Sequence, residues 1–208
     1  LGDGIGGAPE LTPITTVLPA GVTTWSTIRV SGKNTCAIAA TGANAGNAYC
    51  WGSRVYGRTG DGTAASLADY YTPRPVTMPG GGVTFLSLSM GVSHTCAIGS
   101  NGSGYCWGRG ANHRLGKGAT TNSLVPTLVT MPANTTFTEI AAGDDHTCAL
   151  SSGKRIYCWG DNTDGKLGDG TTTNRSTPTA ALMPSGITGF TQLSVNHLGA
   201  NCAIPTRY

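Results

Sequence analysis

A chain of 208 residues is long enough to bury a sizeable core. Charged residues are only 11% of it and the formal net charge is +3, so it carries no basic stripe of the kind that binds nucleic acid. No apolar run approaches the roughly 18 residues of a membrane span, and 38% apolar content with 32 glycines describes a Gly-rich β protein, not a disordered one.

The chain opens in the middle of a repeating pattern. Leu1-Gly-Asp-Gly4 and Pro13 match Leu167-Gly-Asp-Gly170 and Pro178, and Leu18-Pro19 stands where Met-Pro stands elsewhere. Residues 1–21 therefore read as the tail of a repeat, followed by full repeats over 22–81, 82–133 and 134–186 and by the head of another over 187–208. Trp25, Phe85, Phe137 and Phe190 open the last four. Asn34-Thr-Cys-Ala-Ile38, His94-Thr-Cys-Ala-Ile98 and His146-Thr-Cys-Ala-Leu150 follow, and Asn201-Cys-Ala-Ile204 is the fourth version. Tyr49-Cys-Trp-Gly52, Tyr105-Cys-Trp-Gly108 and Tyr157-Cys-Trp-Gly160 come next, and Met78, Met131 and Met183, each followed by proline, close the full repeats.

Within a repeat every local signal is β. Phe85-Leu-Ser-Leu-Ser-Met90 alternates apolar and polar, the period of a half-buried strand. Thr95–Ile98 and Tyr105–Trp107 are joined through Asn101-Gly102, a hairpin signal. A further strand is expected to open at Pro126, since a central strand does not tolerate proline. Four short strands in 50-odd residues predict one propeller blade per repeat.

The recurring Gly-x-x-His-Thr-Cys-Ala-Leu, Tyr-Cys-Trp-Gly-x-Asn and Gly-x-Leu-Gly-Asp-Gly resemble the regulator of chromosome condensation (RCC1) repeat, in the cysteine-bearing form of many extracellular proteins. The resemblance covers essentially the whole chain and implies an all-β propeller, usually of seven blades. About four repeat units, incomplete at both ends, are too few for such a ring. The expectation is a segment of a longer array, or a chain whose residues 187–204 are completed by residues 1–19 of another copy.

Cys96 and Cys106, Cys148 and Cys158, and Cys36 and Cys50 flank a hairpin turn at even separations. Both thiols of each pair can thus point to one face as a cross-strand pair, within reach of a disulfide. Cysteines paired in every repeat fit an oxidising compartment, and the lack of C-x-x-C disfavours zinc. Cys202 has no partner by this rule and is expected to be unpaired or intermolecular. Trp51, Trp107 and Trp159 recur in register and are expected in equivalent buried sites.

His94 and His146 stand at equivalent places, as repeated structural hydrogen-bonders would and catalytic residues would not. Asp161-Asn-Thr-Asp-Gly165 fails the calcium-loop frame at Thr163 and Lys166 and reads as a turn. Asp144-Asp145 reads as a solvated turn, and Asn101, Asn134 and Asn174 open glycosylation sequons.

With no catalytic set, cofactor or metal implied, the sequence predicts a non-enzymatic interaction or structural module. The expected place is outside the cell or on its surface, as a building block of a fibre or larger surface assembly; the partner is a protein, another copy of this chain, or a glycan. The candidate contact positions are copy-specific: Tyr70 and Tyr71 in the insertion from Leu67, the long hairpin from Thr41 to Ala48, and Arg109, His113 and Arg114 in a basic turn. The alternatives are an enzyme inhibitor or an exchange factor for a small GTPase.

Overall fold

The computed structural model describes residues 2–4, 15–63, 68–196 and 201–207; Leu1, Pro13 and Leu67, used above, lie outside them. Three antiparallel meanders of four strands follow one another. The first is β1 (Trp25–Ser31), β2 (Asn34–Ala39), β3 (Ala48–Gly52) and β4 (Tyr70–Pro75). The second is β5 (Phe85–Met90), β6 (His94–Gly99), β7 (Gly104–Gly108) and β8 (Ser123–Leu128). The third is β9 (Phe137–Ala142), β10 (His146–Ser151), β11 (Ile156–Gly160) and β12 (Arg175–Ala180). A two-stranded pair, β13 (Ile187–Val195) and β14 (Asn201–Arg207), comes last. Each strand pairs with the next in sequence, the order of a propeller blade.

The expected strand at Pro126 begins three residues earlier, at Ser123. The proline lies within the strand because β8 is an outer edge and its ladder is interrupted there: Thr127 pairs with Cys106, Ser123 with Gly108, and the register shifts between them. Pro73 and Pro178 occupy the same interruption in β4 and β12. A residue without an N–H costs nothing at a bulge on an edge strand.

The two faces of each sheet differ. The front face presents the cysteine pair and aliphatic residues, such as Cys36, Ile38, Ala48, Cys50 and Val76 in the first blade. The rear face of the next blade covers it with Phe85, Leu88, Met90, Tyr105 and Trp107. The second and third blades repeat this, Cys96, Ile98, Cys106, Leu115 and Val129 meeting Phe137, Ile140 and Trp159. Stacked rings stiffen each rear face, with centroids 5.9 Å apart for Phe85–Trp107 and 6.1 Å for Phe137–Trp159. The core is thus a series of shared interfaces, as in any repeat array.

Uncovered faces show by contrast. Leu88 and Ile140 are 3% and 8% exposed, whereas Ile28, their counterpart in β1, is 46% exposed. Val30 beside it, and Ile204 in β14, are exposed as well.

Candidate functional site

The loops after β3, β7 and β11 lie at one end of the blades and join each blade to the next. Trp107 donates its indole N–H to the carbonyl of Arg58 at 3.1 Å, and Trp159 to that of Arg114 at 2.9 Å. Both indoles rest on glycine: a Cβ at Gly60 or Gly116, each with positive φ, would fall 2.7 or 2.6 Å from the indole nitrogen. Trp51 is buried over Gly2 in the same manner, but its Nε1 has no hydrogen-bond partner among the described residues.

The repeated histidines bridge blades. His146 Nε2–H donates to Asn201 Oδ1 at 2.9 Å, and Asn201 Nδ2 donates to the Lys166 carbonyl. Likewise His94 Nε2 meets Thr147 Oγ1 at 2.9 Å, and that hydroxyl donates to the Arg114 carbonyl at 2.9 Å. The hydroxyl proton is committed, so His94 is the donor and a neutral Nε2–H tautomer. Burial, with Arg114 and His146 adding to it, pulls the His94 pKa from 6.5 to about 3. Burial lowers that of His146 too. At the first junction Asn34 replaces histidine and turns back to the carbonyls of Ser53 (2.6 Å) and Trp51 (3.4 Å). Thr95 Oγ1, the counterpart of Thr147 Oγ1, is left buried without a hydrogen-bond partner among the described residues.

The cysteines at directly opposed positions are joined: Cys36–Cys50, Cys96–Cys106 and Cys148–Cys158, each with Cα atoms 4.1 Å apart. They lie in the inter-blade cores. Cys202 is a free, exposed thiol.

The expected contact positions separate. Tyr71 is 50% exposed. Tyr70 is half-buried, its hydroxyl donating to Asp61 Oδ2 at 2.8 Å, with the guanidiniums of Arg54 and Arg74 at 4.5 and 5.1 Å from its ring. Arg109 lies 5.1 Å over the ring of Tyr56. His113 is half-buried at φ 62° in a 3₁₀ turn, Ala111–His113.

Arg114, read from sequence as part of an exposed basic turn, is instead 1% exposed. It pairs with Asp145, donates to the Asp144 carbonyl at 2.8 Å and to Ser93 Oγ at 2.9 Å, and so ties the second blade to the third. A long guanidinium satisfied on every side can be buried where a solvated one cannot. Asp145 therefore serves as a counter-ion. Asp161 closes its own turn by accepting from Lys166 Nζ at 2.6 Å and from Thr163 at 3.1 Å. Burial raises the pKa of Asp169, but hydrogen bonds from Thr171, Arg175 and Asn162 outweigh that and bring it to about 2. Of the three sequon asparagines, Asn101 bonds Tyr105 and Ser103 and Asn174 bonds Asn162, while Asn134 is exposed.

Four residues of this surface were not singled out in the sequence: Arg54, Tyr56, Arg58 and Arg74. Tyr56 stands five residues after Trp51, where Asn112 and Asp164 stand in the other blades, and it adopts φ 65°. Asparagine tolerates that left-handed conformation; a bulky aromatic residue adopts it at a cost of about 1–3 kcal/mol. Comparing the repeats column by column marks the position. Tyr56 lies under two guanidiniums, of Arg58 at 5.8 Å and Arg109 at 5.1 Å. Two tyrosine rings thus carry four arginines across the boundary of the first two blades.

Known proteins share this architecture. The sequence model of the regulator of chromosome condensation (RCC1) repeat matches residues 45–98, 101–150 and 155–195. The ultraviolet-B receptor UVR8 of Arabidopsis thaliana is 33% identical over 66% of this chain and 30% of its own length. Human E3 ubiquitin-protein ligase HERC2 is 32% identical over 71% of this chain and 3% of its own length. The chain thus spans less than a third of either relative. The crystal structure of Prp20p from Saccharomyces cerevisiae superposes with a TM-score of 0.75 at 18% identity, covering 88% of this chain and 44% of that one. The family matches cover most of the chain, the relatives and the blade topology agree with them, and the chain belongs to the RCC1-repeat family of β-propellers.

Proposed function

We propose that this chain is a non-catalytic protein-interaction module working outside the cell or on its surface, with the loop end of its first two blades as the contact face. The observation that carries the reading is the disulfide in the core of each four-stranded sheet. Such cross-links in every blade suit an oxidising compartment. The contact face is assigned to Tyr70, Tyr71, Arg109 and the half-buried His113, because loops on a rigid scaffold carry recognition and Tyr and Arg are enriched where proteins bind. Arg114 is left out of that face. A glycan partner is the less favoured occupant. The division at residues 21/22, 81/82, 133/134 and 186/187 belongs to this proposal, as does head-to-tail assembly, in which an exposed rear face (Ile28, Val30) meets the front face near Ile204.

The Prp20p structure was described together with binding of Prp20p to Gsp1p and histones. Likeness to a GTPase regulator homolog of Caenorhabditis elegans keeps a second reading, regulation of a small GTPase, in view. A match over 3% of HERC2 carries no ligase activity to this chain.

Photo-crosslinking tests the proposal. A benzophenone residue in place of Tyr71 is expected to capture a discrete protein from the extracellular fraction of the native source. Acceleration of nucleotide release from a small GTPase, with no extracellular adduct, would replace it by the exchange-factor reading.

A further inference from the structure

We propose that the guanidiniums of Arg58, Arg74 and Arg109, held against the rings of Tyr56 and Tyr70, form a docking site for an acidic segment of a partner protein, which binds through its carboxylates. This rests on the interaction-module reading and gives the partner its chemistry.

Four observations carry it. Tyr56 holds a left-handed conformation at φ 65° that its counterpart Asn112 adopts readily, and its ring supports two cations; strain of this kind persists where surrounding structure or function requires it. Second, stacking on a tyrosine face fixes the plane of a guanidinium and leaves its N–H edge available for bidentate pairing. Third, the ion pairs among the described residues engage Arg114, Lys166 and Arg175, and none engages Arg58, Arg74 or Arg109. Arg58 spends Nε and Nη1 on the carbonyls of Val55 and Val92 and on Asn34, while Nη2 makes no hydrogen bond among the described residues. Fourth, the nearby carboxylate of Asp61 is already occupied by Thr59, Thr63 and Tyr70. Burial, with Arg109 adding to it, lowers the pKa of Arg58, a strain that an incoming carboxylate would relieve.

The composition favours a protein segment over a uniform polyanion. Asp61 on Tyr70 and Asp69 near Arg58 give the site both signs of charge, which suits a segment whose spaced carboxylates can be set against the guanidiniums alone better than a densely sulfated sugar chain or nucleic acid laid across it.

The full chain is titrated with a fluorescein-labelled Glu-Gly repeat peptide and, in parallel, with a heparin-derived oligosaccharide, following anisotropy at low salt. The peptide is expected to bind and to lose about tenfold in affinity in the Arg74→Gln/Arg109→Gln variant, with the melting curve unchanged. If that variant folds poorly, Arg109→Lys keeps the charge but loses the planar fork, and is expected to weaken the peptide severalfold. Peptide affinity unchanged in the variants, no peptide binding, or tighter binding of the oligosaccharide overturns the proposal. The Tyr71 crosslinker separates this from the reading beneath it. A partner captured equally by wild type and double variant refutes the arginine site and leaves the module standing. Arginine-dependent peptide binding with no captured partner supports the site and counts against the module.

Discussion

Acid should loosen the joints between blades before it reaches the carboxylates. His94 is neutral and buried between the second and third blades, with its pKa pulled from 6.5 to about 3 by burial and by Arg114 and His146. In the unfolded chain the same imidazole titrates near 6.5. Between those values the unfolded state binds more protons, so stability falls as pH falls. From about pH 6.5 to 4.5 the loss is up to about 3 kcal/mol, at about 1.4 kcal/mol per pH unit. His146 acts in the same direction. The depressed carboxylates of Asp61, Asp161 and Asp169 contribute in a lower window, below about pH 4, because their unfolded values lie there. Urea titrations near pH 7.5 and 4.5 with the disulfides intact measure the effect. His94→Gln keeps an amide donor for Thr147 but cannot titrate, and should shed most of His94's share of the pH dependence. Equal stability of the wild type at both pH values, or the same slope in His94→Gln, would refute the reasoning.

Three further outcomes are expected. Trp159→Ala and Trp107→Ala should each cost about 3–5 kcal/mol as core truncations; denaturant midpoints measure them. Gly116→Ala should lower the melting temperature clearly, because its Cβ would meet Trp159 at φ 66°, whereas the same change at Gly153, which has open contacts and no positive φ, should be near neutral. Arg114→Ala should cost about 2 kcal/mol or more by leaving the carbonyls of Ala111 and Asp144 and the hydroxyl of Ser93 without their donor, while Arg109→Ala should leave the melt within about 2 °C of wild type.

The blade repeat, the cysteine pairing and the role of the histidines were legible because each is written several times in register, and repetition marks structure. What was lost followed from reading a segment alone. Arg114 looked like surface charge in a basic turn, yet it stands seven residues after Trp107 as Arg58 and Lys166 stand after theirs, and a repeated long cation is a joint. Tyr56 was missed for the opposite reason, as a departure from a column. Arg54 and Arg74 carry no local signal: only the folded loop brings them to Tyr70, across 16 residues of sequence in one case. The bulges that seat Pro73, Pro126 and Pro178 were likewise invisible, because edge position is a property of the sheet.

The reading of this chain as an oxidised interaction module stands most directly on its thiols in the native source. Trapping them at the moment of extraction, followed by non-reducing peptide mapping, should recover Cys36–Cys50, Cys96–Cys106 and Cys148–Cys158 as linked peptides, with Cys202 alone alkylated or linked to another molecule. All seven cysteines alkylated in freshly trapped protein, or links running between different blades, would contradict it.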